Sequence, residues 1–193
     1  EILSGLVGSE MCIRDRNMAR DDYQKALKKG ERSYARYLSE GKYPYLQVLE
    51  ELLSHTDVVA EEDLGICSIP SEMIVGTFTA GRRTAFAPNF MPLLDDESEF
   101  AAKWQALYNA HLEEGIHDPI KCYEFMNRYY VLEGNKRVSV LKFCGAPSVQ
   151  GNVTRIIPKR TDEPENRLYF EFLAFYKCSK VNYIVLSLSL IHI

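Results

Sequence analysis

The sequence predicts an α+β protein, a small mixed sheet with flanking helices preceded by an N-terminal helical arm. Three observations lead there. Tyr23, Leu27, Tyr34 and Leu38 recur at four- and seven-residue steps, the period of one helix face. Residues 120–125 and 129–133 are apolar-rich runs on either side of Asn127-Arg128, the pattern of a β-hairpin. The element order read along the chain is helical arm, strand, loop, helix, hairpin, helix, strand, helix, which is that of an α+β domain.

Each element follows from local chemistry. The arm covers residues 18–38 and carries Lys25, Lys28, Lys29, Arg32 and Arg36 on its other face. Gly41 ends it, and Pro44 opens a second short helix running to Leu53. Residues 57–63 read as an acidic loop. Residues 64–69 read as a strand stopped at Pro70, and 74–78 as a second extended piece. Residues 79–94, with Gly81, Pro88, Asn89 and Pro92, read as a long irregular loop, and long ordered loops tend to be functional. Asp95, Asp96 or Ser98 caps a helix over 99–114, with Phe100, Trp104, Leu107, Tyr108 and His111 on one face, and Gly115 stops it. After the hairpin, 136–143 read as a helix ended by Gly145. Residues 149–157 then form a strand stopped by Pro158, and Asp162 and Pro164 begin a last helix.

The two ends stand apart from this fold. Residues 1–16, with Glu10-Met11-Cys12-Ile13-Arg14-Asp15-Arg16, and residues 188–193 read as the two translated ends of a sequencing-library adapter. The expected organisation is therefore adapter over 1–16, helical arm over 17–56, sheet-bearing domain over 57–160, C-terminal helix and the start of a truncated region over 161–187, and adapter over 188–193. A missing C-terminal domain is expected beyond the natural sequence. The apolar tail 184–193 is too short for a membrane span, which needs about 20 apolar residues, so no membrane association is expected.

Charge and cysteine usage narrow the class. Setting aside the adapter's ionisable residues takes the formal charge from −4 to about −3. Duplex-binding domains are usually basic overall, so any nucleic-acid contact would need a local patch. Cys67, Cys122, Cys144 and Cys178 are widely spaced, with no C-x-x-C pair. A zinc site or disulfide framework is not expected. Four buried or partly buried thiols in a reducing cytoplasm is the reading.

The segment richest in chemistry is Tyr129-Tyr130-Val131-Leu132-Glu133-Gly134-Asn135-Lys136-Arg137, where a strand runs into a glycine and a helix starts at once. A helix N-terminus leaves backbone N–H groups unpaired and carries partial positive charge, which suits an anion. Gly134 allows close backbone approach. Lys136 and Arg137 add full charge, and arginine grips two phosphate oxygens at once. The plain alternative is a strand-to-helix turn with two solvated cations. Glu133 is the first suspect for a general base or metal ligand, against a strand-end carboxylate paired with Arg137.

These segments resemble the N-terminal domain of ParB and its relative sulfiredoxin. The resemblance rests on Gly115 with Pro119-Ile120, on the Gly134-Asn135-Lys136-Arg137 turn as a Gly-x-x-Arg box, on the strand ending at Pro158, and upstream on Ile69-Pro70-Ser71-Glu72-Met73-Ile74. Arg82 or Arg83 matches the family's first-box arginine. The resemblance implies that Gly134, Asn135, Lys136 and Arg137 hold the phosphates of a nucleoside triphosphate, CTP or ATP with Mg2+, with Arg82 or Arg83 closing from the loop. It implies a nucleotide-binding regulatory module in the cytoplasm, with DNA and a second copy of the chain as further partners. Two departures matter. Asn135 and Lys136 stand where sulfiredoxin places its catalytic cysteine, so peroxiredoxin repair is not expected. Glu165-Asn166 begins ParB's later box, but Tyr169 stands in place of its arginine. Segments including Tyr43-Pro44-Tyr45-Leu46 and Asn89-Phe90-Met91-Pro92 also resemble bacterial proteins in which such a region precedes a basic-membrane-protein-type solute-binding domain.

Two other functions remain open at this point: an ATP-dependent phosphotransferase of the same fold, acting on small hydroxyl substrates, and a non-catalytic interaction domain. The basic face of the first helix could touch phosphate, with a solvated helix face as the plainer reading. His55, His111 and His117 lack ligand spacing, so no metal site is expected. Asp95-Asp96-Glu97 reads as a helix-start charge run.

Overall fold

Six strands form one mixed sheet, and the clearest inward and outward alternation runs along Ile120–Phe125 and Ser148–Pro158. The computed structural model describes residues 3–180, with side chains from residue 18 onward; the tail read as adapter, 188–193, lies outside the described residues. Strands β1 (Gln47–Val48), β2 (Val58–Pro70), β3 (Ile74–Thr77), β4 (Ile120–Phe125), β5 (Arg128–Glu133) and β6 (Ser148–Pro158) lie in the order β1-β3-β5-β4-β6-β2. The β1/β3, β3/β5 and β4/β6 pairs are parallel, while β4/β5 and β2/β6 are antiparallel. With α1 (Leu3–Ser39), α2 (Leu49–Leu53), α3 (Glu99–Glu113), α4 (Asn135–Phe143) and α5 (Pro164–Ser179), the chain is α+β with an N-terminal helix, as the sequence predicts.

The chain forms two compact units. One comprises residues 47–81, 118–135 and 146 onward; it contains the whole sheet with α2 and α5. The other comprises residues 1–46, 82–117 and 136–145; it is helical, with α1, α3 and all of α4 after its first residue.

In the sheet unit, Leu49, Phe125, Tyr130 and Ile156 form one apolar cluster, and Tyr169, Phe172 and Leu173 of α5 form another. Between strands and helix sits an ion pair with no solvent exposure. Glu124 of β4 lies opposite Arg155 of β6 in the parallel register, and its Oε2 accepts from the Arg155 Nε. The same oxygen accepts from the Tyr169 hydroxyl at 3.1 Å, and Oε1 accepts from the Asn127 backbone N–H at 2.6 Å. That last bond closes the β4–β5 hairpin, whose Met126 and Asn127 have φ of 52° and 60°, the left-handed pair of a tight hairpin turn. Burial pushes the Glu124 carboxyl up, against the lowering pull of Arg155. Burial also opposes the Arg155 charge, but attraction to Glu124 outweighs it and keeps the guanidinium charged. The Arg155 guanidinium faces the Tyr176 ring at 4.4 Å.

The helical unit is built on aromatics. Trp104 is fully buried, stacks on Tyr108 at 5.4 Å and meets Tyr23 and Phe143 edge-on. Its indole N–H donates to the Ser139 hydroxyl at 2.9 Å, which ties α3 to α4. The Tyr23 hydroxyl donates to the Leu94 carbonyl at 2.6 Å. At Gly30 a Cβ would stand 2.2 Å from the Pro92 carbonyl oxygen, so α1 lies against the loop at glycine distance.

Several local expectations differ from what is observed. The acidic run read as a loop over 57–63 is mostly strand, because Val58 to Asp63 pair with β6 along the sheet edge, interrupted by two irregularities. Exposed carboxylates on an edge strand discourage pairing with another chain. Pro44 does not open a helix; helix begins only at Leu49, after the two residues of β1. Helix α1 starts at Leu3 rather than Met18. The loop over 79–94 contains a short 3-10 turn at Ala80–Ala85 and contributes buried Phe86, Ala87, Phe90 and Met91. Glu163, not Asp162, is the α5 N-cap residue, and it makes no side-chain cap bond. The thiols of Cys67 and Cys122 are buried, whereas Cys144 and Cys178 are exposed.

Two stability predictions follow from these interiors. Removing one member of a buried pair leaves an uncompensated charge, so Glu124→Ala or Arg155→Ala should each lower the unfolding free energy by about 3–5 kcal/mol in urea titrations. The double change Glu124→Leu with Arg155→Met should recover most of that loss. Single-mutant costs below about 1 kcal/mol, the range of an exposed pair, would refute the assignment. In α4, burial lowers the Lys142 ammonium to about 8, and it stands 4.8 Å from the Phe90 ring centroid. A folded pKa below the unfolded value means stability is present above about 10.4 and is lost as pH falls through about 8. Lys142→Met should therefore raise stability at pH ~7 and abolish the gain the native chain shows between pH ~8 and ~10.

Candidate functional site

The turn read as an anion site has the predicted backbone. Strand β5 ends at Glu133, Gly134 takes φ 106°, and α4 begins at Asn135. That φ is open to glycine at little cost. The chain thus turns from strand into helix within one residue, and the first N–H groups of α4 have no partner within the helix.

Asn135 turns its side chain back to the sheet. Its Nδ2 donates to the Thr77 hydroxyl at 3.4 Å, and that hydroxyl donates to the Val131 carbonyl at 3.2 Å. Its Oδ1 is buried without a hydrogen-bond partner. Asn135 therefore fixes the turn through its amide nitrogen and leaves an acceptor unused.

In the helical unit, Lys136 stands 4.9 Å from the Phe100 ring centroid. Its ammonium is held below its ordinary pKa, first by burial and then by the charges of Arg82 and Lys103, with Glu99 opposing. Glu99 is ion-paired with Lys103 one helical turn along α3. That pairing lowers the Glu99 carboxyl, and Lys136 and Arg82 pull it in the same direction. Three cations and one carboxylate thus share a field at the start of α4. The Trp104–Ser139 bond holds α4 one turn further on, which places Lys136. Arg137 follows on α4 and is half-buried.

The two loop arginines separate. Arg82 acts on Lys136, whereas the Arg83 guanidinium faces the Tyr43 ring at 6.0 Å. Lys103 and Glu99 were not singled out from the sequence. The available signal was their i,i+4 spacing on one helix face, which says nothing of proximity to residue 136.

Glu133 pairs with Lys121, its register partner on β4, at 3.0 Å, and both side chains are more than half exposed. The suspected general base is thus part of a surface ion pair with Lys121. Among the described residues, no group of three or more His, Cys, Asp or Glu side chains is placed to hold a metal ion. The residues resembling ParB's later box serve the fold. Asn166 accepts from the Thr161 N–H at 2.9 Å and donates to the Lys159 carbonyl at 3.0 Å, and Tyr169 belongs to the Glu124 network. A cavity of about 430 Å³ in the sheet unit is bordered by Asn166, and by Asp57 and Lys159, themselves paired at 3.5 Å.

His111, His117 and the polar residues before α3 make local contacts. His111 Nδ1 accepts from the Ile116 N–H at 3.2 Å, and His117 Nε2 lies 2.7 Å from the Glu114 carbonyl oxygen. Ser98 caps α3 by accepting from the Ala101 N–H at 3.1 Å, and Asp96 binds Arg20 and Gln24. Burial pushes the Cys122 thiol up to about 12, as expected of an inert interior cysteine. Compared with protein-family models, curated proteins and solved structures, the chain finds no match in any of the three.

Proposed function

We propose that the chain binds the phosphate groups of a nucleoside triphosphate at the start of α4, as a regulatory module of the ParB and sulfiredoxin kind. The observation that carries this reading is the Lys136 ammonium, partly buried at a helix N-terminus and in the field of two further cations, Arg82 and Lys103. Burial, like charge and the helix dipole all oppose a cation there. An anion reverses each of those effects, because it neutralises the charges and accepts from N–H groups of the first turn that have no partner within the helix. Lys136, Arg137 and Arg82 would hold the phosphates, with Gly134 permitting their approach.

The ligand class is CTP or ATP, with Mg2+ carried on the phosphate oxygens, since the described residues offer no carboxylate cluster for it. Binding rather than phosphotransfer is the better reading, because the carboxylate beside the turn is paired with Lys121. No helix among the described residues is long and apolar enough to cross a membrane. A cytoplasmic setting belongs to the proposal.

Thermal unfolding of the full chain with CTP, ATP and GTP, each with Mg2+, tests it. A ligand at about 100 times its dissociation constant should add about 2.7 kcal/mol. Lys136→Ala and Arg82→Ala should abolish that gain, and Arg83→Ala should keep it. Stabilisation that survives Lys136→Ala, or no response to any of the three nucleotides, would overturn the assignment.

A further inference from the structure

A second place in the helical unit gathers positive charge around an unsatisfied hydroxyl. A cavity of about 320 Å³ is lined by Lys29, Arg32, Ser33 and Arg36 of α1 and by Asn89 of the loop before α3. Lys29, Arg32 and Arg36 follow the three- and four-residue steps of one helix face, so their charges project to the same side. None of the five lining side chains is a carboxylate.

Ser33 supplies the independent observation. It is only 7% exposed, and its hydroxyl has no hydrogen-bond partner. A serine inside a helix can bond the carbonyl one turn back, or it can face water; this hydroxyl does neither. Buried polar groups are almost always satisfied, so an orphan in the wall of a cationic cavity marks the position of a missing acceptor.

The walls are fixed. Asn89 Oδ1 accepts from the Met91 N–H at 3.1 Å, and its Nδ2 donates one bond to the Lys29 carbonyl at 3.3 Å. The close approach of Gly30 to Pro92 keeps α1 against this loop. Two of the cations rest on aromatic faces, Lys29 at 4.7 Å from Phe143 and Arg36 at 5.4 Å from Tyr37. Such bracing orients a cation without neutralising it.

We propose that this cavity is a second anion site, separate from the turn before α4, and that it takes a terminal phosphate group. Arg32 and Arg36 grip its oxygens, Lys29 adds charge, and the Ser33 hydroxyl donates to it. The recessed hydroxyl favours a terminal phosphate over a nucleic-acid backbone. A phosphodiester flanked by two sugars rides on a surface, whereas a phosphomonoester or inorganic phosphate can enter.

The test is calorimetric titration of the full chain at constant ionic strength with inorganic phosphate, with pyrophosphate, and with a short DNA duplex. Phosphate or pyrophosphate should bind, and Arg32→Ala should weaken that binding at least tenfold. Ser33→Ala should weaken it several-fold while leaving the melting temperature without anion unchanged or higher, since it removes an unsatisfied group. Lys136→Ala should leave this binding in place, which separates it from the nucleotide site: either can fail alone. Phosphate affinity indifferent to both Arg32→Ala and Ser33→Ala would overturn the proposal, as would absence of phosphate binding. Tighter binding of the duplex that ignores Ser33→Ala would overturn it in favour of a backbone-contacting surface.

Discussion

The desolvated pair of Glu124 and Arg155 is the constraint from which most of the sheet unit follows. Two ions without solvent exposure are tolerated when their geometry is close; both Glu124 oxygens accept hydrogen bonds, whereas the Arg155 Nη1 and Nη2 atoms have no hydrogen-bond partner and the guanidinium lies over the rings of Phe172 and Tyr176. That requirement locks three relations at once. It fixes the parallel register of β4 on β6, since a one-residue slip would send Glu124 to the opposite face. It ties the hairpin turn to the strand through the Asn127 N–H. It holds α5 through the Tyr169 hydroxyl and the aromatic faces over the guanidinium. Because β5 is paired to β4 through that hairpin, the position where β5 ends, and so where Gly134 turns the chain, is set by the same network.

Features governed by neighbours in sequence were legible before the structure. The helix face of Tyr23, the α3 stop at Gly115 and the turn at Gly134 follow from side-chain period and backbone freedom, which need no distant partner. Both glycines take positive φ. What escaped depends on contacts across long separations. Val58 to Asp63 are too polar to read as a strand, and only β6, nearly a hundred residues later, makes them one. Asp162 is a good N-cap by composition, but Asn166 accepts from the Thr161 N–H there, and the cap residue falls on Glu163. The buried pair itself had left a trace: Glu124 shares parity with Ile120 and Cys122, and Arg155 with Val149 and Val153, all buried. Opposite charges on two inward faces are a signal once the strands are known to be neighbours.

The candidate site divides in the same way. Gly134 and the cations after it were readable, because a strand, a glycine and a helix start are consecutive. The choice between Arg82 and Arg83 was not, since adjacent residues look alike until one of them meets Tyr43. Lys103 was hidden among the polar residues of α3. Ser33 was hidden within a helix face whose charges drew attention away from a small hydroxyl.

The electrostatic logic of α4 bears on why a protein would keep such an arrangement. Natural sequences tend to agree with their folds locally, and the exceptions concentrate where function requires them. Helix N-termini favour acids, yet α4 begins Asn135-Lys136-Arg137. Its last turn carries Lys142, whose charge suits the dipole there but whose burial does not. The rest of the helix compensates. Val138, Ser139, Val140 and Leu141 are buried in succession, and Ser139 is held by Trp104. Apolar burial and that one hydrogen bond can hold the helix in place while its first turn stays electrostatically unfavourable. A first turn kept positive against both burial and the dipole is stabilised by anything negative that reaches it. The burial and like charges that lower the Lys136 ammonium are the effects that a negative group at this turn would offset.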